Sequence, residues 1–374
     1  MLPTRISSRL SLAISALVGV VALGVPSALW AQPPLQVIAS GLDNPRGLEF
    51  GPDGALYVVE AGRGGNSTLC GQTPDAPPGT LRCYGATGAI TRVTGLGVHQ
   101  RVVTGLPSLA GATGVEATGP HDIDFGFGNA WVTIGFGGDP ATRTAFAAAG
   151  VRFGNLVRVR PTGAWDYVLD LAAFEATANP DGGLVDSNPY GLQILANRGV
   201  FTDAGGNALM GITTSGAIST LAVFPTRTMP SPFGGTVPMQ SVPTTLVEAA
   251  DGSLFVGELT GFPFPAGGAR VYRVPANGGA PVVVASGFTN IIDIAVSPTG
   301  VGYVLEHDAD GILPPVGPGM AGRVIRVLPN GTQTVIASTG LVKPGGIAIG
   351  PDGALYVTNR STSAGSGEVV RIVP

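Results

Sequence analysis

Gly41-Leu-Asp-Asn-Pro-Arg-Gly-Leu-Glu-Phe-Gly-Pro-Asp-Gly-Ala-Leu-Tyr-Val58 returns near the far end of the chain as Gly340-Leu-Val-Lys-Pro-Gly-Gly-Ile-Ala-Ile-Gly-Pro-Asp-Gly-Ala-Leu-Tyr-Val357. In both copies a short apolar strand runs into a Pro-Asp-Gly turn and out into an aromatic strand. Four diverged copies lie between them. They are Gly119-Pro-His-Asp-Ile-Asp-Phe125 before Trp131-Val132, Asn188-Pro-Tyr-Gly-Leu-Gln-Ile194 before Val200-Phe201, Val242-Pro-Thr-Thr-Leu-Val247 before Leu254-Phe255-Val256, and Thr289-Asn-Ile-Ile-Asp-Ile-Ala-Val296 before Tyr303-Val304. Six units of one pattern are the signature of a repeat array.

Each unit has one order: strand a, a Gly/Asp/Pro turn, aromatic strand b, a variable loop, strand c, a turn and strand d. Arg323–Leu328, Pro329-Asn330-Gly331 and Thr334–Ala337 show the second half. Four short antiparallel strands per repeat make a propeller blade, so the expectation is an all-β, six-bladed β-propeller forming a single domain over 35–374. The chain ends on a c-type strand, Glu368–Val373, with no strand d after it. Leu35–Ala39 matches Thr334–Ala337 and is expected to complete the last blade, closing the ring and covering its edges. A solenoid would need capping repeats, and none is found.

Composition agrees. Gly 59 and Pro 32 among 374 residues are too many for helices to dominate. Charged residues are 12%, but the hydrophobic share of 44% supplies ample apolar burial and excludes a disordered chain. The net charge is −4, and the basic residues, of which Lys343 is the only lysine, are scattered. That distribution offers nucleic acid no footprint.

Residues 1–31 carry Arg5 and Arg9, an apolar run from Leu10 to Val25, then Pro26 and a small residue, Ala31, before Gln32. These are the three parts of a secretory signal cleaved near Ala31. The run is shorter than the roughly 20 residues that span a bilayer, and no later segment is long and apolar enough to do so. A secreted or periplasmic protein without a membrane span is expected, and a monomer. In an oxidising compartment Cys70 and Cys83, in one Gly/Pro-rich loop, are expected to pair. On the chain-entropy model such a clamp contributes about 3 kcal/mol.

In a propeller the d-to-a and b-to-c connections emerge on one face. The insertions 62–87, 136–152, 172–188, 225–241, 259–268 and 307–320 all fall there, while the other face carries tight turns. Loops of that length bind something or shield it. Aligned by column, strand a begins with Arg46, His121, Tyr190, Thr244, Ile292 and Gly345, followed by Gly47, Asp122, Gly191, Thr245, Asp293 and Gly346. Strand b ends on Glu60, Ile134, Ala204, Glu258, Glu306 and Asn359.

Two readings stand side by side. Arg46, His121, Asp122, Tyr190 and Asp293 could line a ligand-binding channel mouth, with Glu60, Glu258, Glu306 and Asn359 as metal ligands for Ca2+ in the central channel. Alternatively the Glu ring accepts hydrogen bonds from loop amides, blade by blade. His121 and Asp122, present in one blade only, are the catalytic candidates, and a histidine packed in the channel wall is the rival. His99 and His307 read as solvated. Asp308 and Asp310 before Gly311 resemble part of a calcium loop that lacks its bidentate Glu. No Gly-x-Ser-x-Gly, His-Glu-x-x-His, Gly-Lys-Ser/Thr or Cys-x-x-Cys motif is present, which excludes elbow hydrolases, zincins and P-loop enzymes.

The stretch Val37–Glu60, the Cys70 to Cys83 loop, Gly88–Val93, Arg101–Pro107 and Gly119–Asp122 together resemble the ScyD/ScyE family of exported propellers over essentially the whole mature chain. More loosely the repeat is similar to NHL-type propellers and to the glucose/sorbosone dehydrogenase group. The family takes its name from scytonemin biosynthesis, and the resemblance implies work outside the cytoplasm but no catalytic residues. Two functions follow as expectations. One is a binding module that holds a small molecule or protein partner on the loop-covered face. The other is an enzyme at the channel mouth, a metal-dependent lactonase-like hydrolase or a quinone-dependent sugar dehydrogenase.

Overall fold

A computed structural model describes residues 34–73, 79–95, 97–313 and 321–374. The predicted signal at 1–31 lies outside the described residues, as do parts of the insertions 62–87 and 307–320. Each repeat folds into a four-stranded antiparallel sheet, and the six sheets make the six-bladed propeller the repeats predict. The turn in Gly51-Pro-Asp-Gly54 shows how the repeated sequence is read locally. Asp53 accepts the Ala55 amide through Oδ1, and Gly54 takes φ +74°, a conformation that costs glycine little.

The innermost strands are Pro45–Phe50, Pro120–Gly126, Pro189–Ile194, Pro243–Glu248, Ile291–Val296 and Gly346–Ile349. Each touches the next around the central channel. Closure occurs as expected. Gln36–Leu42 pairs antiparallel with Gly367–Ile372 and becomes the outer strand of the sixth blade. On the inner side, Thr358 of the sixth blade donates its hydroxyl to Arg46 O of the first at 2.7 Å.

The core lies between the blades, because a blade buries both faces against its neighbours. Val59, Ile90 and Leu106 of blade 1 pack on Ile123, Val132 and Phe136 of blade 2, and five equivalent clusters follow around the ring. The last of them joins Ile38, Ala39 and Val369 of blade 6 to Leu48 and Val58 of blade 1. The stacking explains why the strands read as apolar runs with little alternation.

The loop side is elaborated. In blade 1, Leu81–Gly95 and Val98–Ala110 extend beyond the sheet and carry Cys70–Gln72 as an extra strand. Cys70 and Cys83 stand opposite each other there and are disulfide-bonded, as predicted. The insertion after Phe136 forms 3-10 turns over Pro140–Arg152. That after Asp170 forms a helix, Leu171–Ala178, whose N-cap Asp170 accepts the Ala173 amide. Arg227–Pro230 and Thr236–Met239 form a hairpin between blades 3 and 4. Among the described residues no helix is long and apolar enough to cross a membrane.

Candidate functional site

Five of the six inner strands slip register at their loop-side start, between Pro45 and Leu48, Pro120 and Asp122, Pro189 and Leu192, Pro243 and Thr245, and Ile291 and Asp293. A bulge re-aims side chains at a sheet edge. Here the slips coincide with the two columns that the sequence points to the axis. Gly47 makes room for this crowding, since a Cβ there would lie 2.1 Å from Asp122 Oδ1.

At the mouth the His121 ring is buried, in a slot left by Gly135, whose Cβ would stand 2.0 Å from His121 Cε1. Its Nδ1 faces Pro189 O at 3.2 Å, and its ring packs on Tyr190 with centroids 4.5 Å apart. With Nδ1–H given to the carbonyl, Nε2 carries the lone pair. Burial, and then the charge of Arg46, push the imidazole down to about 3. Arg46 donates through Nη2 to Ala117 O at 2.9 Å, while its Nε is buried without a partner. The Tyr190 hydroxyl is likewise buried; it interacts with the Arg46 guanidinium, and its own proton has no acceptor at hydrogen-bonding geometry. Its pKa is raised by burial, with Arg46 pulling it back.

His307 is not a solvated loop residue. It is partly buried in the channel wall, its Nδ1 2.8 Å from Pro344 O, and burial with Lys343 beside it pushes it down to about 3. Pro189 and Pro344 hold equivalent places in blades 3 and 6, so the two imidazoles occupy matching seats three blades apart around the ring. His99 lies half-buried on the outer strand of blade 1. Asp308, rather than belonging to a calcium loop, is buried and receives Lys343 Nζ at 2.6 Å.

Below the mouth stand Asp122 and Asp293, also three blades apart. Both do structural duty. Asp122 Oδ2 accepts the Leu192 amide of blade 3 at 2.8 Å, and Asp293 Oδ2 accepts the Ile347 amide of blade 6 at 2.8 Å. Inner strands are edge strands with amides turned to the channel, and these carboxylates, with Asp124 on Ile194, satisfy them from the preceding blade. Burial first, and Asp293 next, push Asp122 well above the usual carboxylate range. Burial pushes Asp293 to about 6.

Toward the turn face the channel holds a cavity of about 240 Å³ lined by Glu49, Asp122, Asp124, Gln193 and Asp293 among apolar residues. Glu49 and Asp124 follow Gly47 and Asp122 by two positions, so extending the columns by one alternation would have found them. Burial raises Glu49 to about 7 and Asp124 to about 6.

The ring at the ends of the b strands is spoken for residue by residue. Glu60 is fully buried and accepts Asp43 N at 2.7 Å, Thr91 Oγ1, and both Nε and Nη2 of Arg101. Glu258 accepts Ser241 Oγ, Tyr272 OH and Arg227 Nη2. Glu306 accepts Thr289 N and Arg323 Nε at 2.7 Å each. Asn359 accepts Val342 N at 2.7 Å. The residue of blade 3 in this ring is Asp203, not Ala204: it stands opposite Pro189 and accepts Ser187 Oγ and Asn188 N. Each side chain thus fastens the connection entering its own blade. Among the described residues no three His, Cys, Asp or Glu side chains are gathered as metal ligands would be.

No protein-family model and no curated protein sequence matches the chain. Solved structures do. A streptogramin B lyase is 13% identical at TM-score 0.50, covering 93% of this chain and all of its own. Virginiamycin B lyase from Staphylococcus aureus is 12% identical at TM-score 0.46, covering 91% of this chain and 99% of its own. An oxidoreductase of glucose dehydrogenase type from Thermus thermophilus is 18% identical at TM-score 0.37, over 91% of this chain and 100% of its own. At 13% identity the likeness to the streptogramin B lyase is one of fold, and it agrees with the six sheets: the chain is a six-bladed β-propeller.

Proposed function

We propose that this chain is an exported propeller of the ScyD/ScyE kind that binds a small, oxygen-rich molecule at the loop-side mouth of its channel. The observation that carries the reading is a pair of neighbouring buried groups, Arg46 and the Tyr190 hydroxyl, whose Nε–H and O–H protons find no protein acceptor at hydrogen-bonding geometry, beside the His121 ring. Buried donors are rarely left unpaired. A carboxylate or carbonyl oxygen of a ligand would meet them, and a ligand hydroxyl would meet the lone pair of His121. Export is supported by the character of residues 1–31 and by the disulfide.

The enzyme alternatives, a lactonase-like hydrolase or a quinone-dependent sugar dehydrogenase, would ask His121 for a general base. An imidazole pushed down to about 3 stays neutral at working pH but takes protons poorly, so it serves better as a hydrogen-bond acceptor. The test is a thermal-shift screen of the mature protein against small carboxylates, lactones and sugars, repeated with Arg46→Met and Tyr190→Phe. A ligand found with wild type is expected to bind at least tenfold more weakly to both variants, the equivalent of losing about 1.4 kcal/mol at each. Equal affinity in wild type and both variants would sink the proposal.

A further inference from the structure

Two imidazoles at the mouth reach matching seats from different places in the repeat. His121 belongs to the inner strand of blade 2, whereas His307 follows the second strand of blade 5. The counterpart of His307 in blade 2 is Gly135, since each gives its amide to the residue before the inner strand, Gly135 to Gly119 O and His307 to Asn290 O, both at 2.9 Å. The counterpart of His121 in blade 5 is Ile292, because Pro120 pairs with Ile134 as Ile291 pairs with Glu306. Yet each ring sets Nδ1 on the carbonyl of the proline that leads the next blade's inner strand, Pro189 and Pro344. Copying one repeat into another would place both histidines in one column, so duplication does not explain the match.

With Nδ1–H given to a carbonyl, each ring directs the lone pair of Nε2 away from that wall. Among the described residues neither Nε2 has a hydrogen-bond partner. Burial above all, with Lys343 adding to it at His307, keeps both imidazoles neutral and therefore acceptors. Lys343 is itself tied to Asp308. Blade 1 stands between blades 6 and 2, and the charge of its Arg46 bears on both rings. That guanidinium opposes a metal cation or an ammonium group on the two lone pairs, and among the described residues no three His, Cys, Asp or Glu side chains gather as ligands. An uncharged hydroxyl meets no such opposition. With the mouth as the binding site, on which this inference rests, we propose that the ligand is a polyhydroxy carboxylate: its carboxylate meets Arg46 and the Tyr190 hydroxyl, and two of its hydroxyls donate to Nε2 of His121 and of His307. A site built to bond hydroxyls rejects an analogue that lacks them, because its own polar groups are then left bare.

The test is calorimetric titration of the mature protein with gluconate, with hexanoate, which has the same charge and chain length but no hydroxyls, and with sorbitol, which has the hydroxyls without the charge. Gluconate is expected to bind at least tenfold more tightly than either. His121→Asn and His307→Asn each keep a side-chain N–H for the proline carbonyl and withdraw the acceptor at Nε2. Each should weaken gluconate about tenfold and leave hexanoate unchanged, a split that a merely structural loss would not produce. His307→Gln, which returns an acceptor near Nε2, should recover the preference. Equal affinity for gluconate and hexanoate, or gluconate binding unchanged in both Asn variants, overturns this inference and leaves the mouth as a carboxylate site. Should no carboxylate bind at all, the mouth reading falls and this inference with it.

Discussion

Replacing Glu258 with Gln tests what the carboxylate ring is for. The side chain is fully buried; Oε2 receives the Ser241 hydroxyl at 2.6 Å and the Tyr272 hydroxyl at 3.1 Å, and Arg227 donates to Oε1. Gln keeps the shape but carries one acceptor oxygen and an NH2 group that can only donate. Arg227 cannot accept, so the amide oxygen must stay on its side, and the NH2 group then faces two hydroxyls that have to turn from donating to accepting. Arg227 is only 13% exposed and loses its counter-charge. Breaking a buried pair in this way costs about 3–5 kcal/mol, a large part of the 5–15 kcal/mol that holds a typical domain together. Urea unfolding followed by tryptophan fluorescence reads the loss. It should be the same with and without chelator, because the partners are protein groups. An unchanged unfolding midpoint would refute the reasoning, and so would a loss seen only when metal is present.

Two further outcomes are expected. Leu42→Ala, at a buried position of the closing strand, should destabilise by about 2–5 kcal/mol, and deletion of 34–42 should leave Gly367–Ile372 as a bare edge and produce oligomers in light scattering; a monomeric, equally stable deletion would show the seam to be dispensable. Glu49, raised to about 7, holds its proton more tightly folded than unfolded, so it adds stability in full below about pH 4.5 and loses it as pH rises through 7. The buried histidines work in the opposite direction, so the quantity to measure is the stability difference between Glu49→Gln and wild type. That difference should grow in the variant's favour from pH 4 to pH 8, by at most about 3 kcal/mol, and a flat difference would contradict it.

Much of the fold was legible because repeats copy their backbone requirements. Gly-Pro-Asp-Gly at 51–54 and 350–353 marks the same turn twice, and a final blade one strand short pointed to Leu35–Ala39, which overlaps the observed closing strand Gln36–Leu42. The candidate site was legible only in part, and the failures have physical causes. Column counting assigned Ala204 to the ring because the turn between the first two strands is one residue shorter in blade 3, where Ile194 pairs with Gly199, than in blade 1, where Phe50 pairs with Leu56; pairing puts Asp203 there. His307 read as a solvated loop residue because its partner, Pro344 O, belongs to the next blade. Asp122 and Asp293 stood in the right columns, but their bonds to the amides of Leu192 and Ile347 cross between blades. Asp122→Asn therefore perturbs the ring as well as any ligand.

The pairing of Gln36–Leu42 with Gly367–Ile372 also sets the timing of folding. The first strand of the domain to leave the ribosome is the one whose hydrogen-bonding partner is made last. Five blades can form from neighbouring segments as they appear, but the sixth waits for both ends, a contact of nearly maximal sequence separation. Such contacts are slow to form. Until the ends meet, the first strand remains unpaired and its partner edge is missing, so a nascent chain passes through an open ring. Anything attached just before Gln36 is carried to that seam, and a tag placed there would be read first as a delay in closure rather than as a loss of the finished fold.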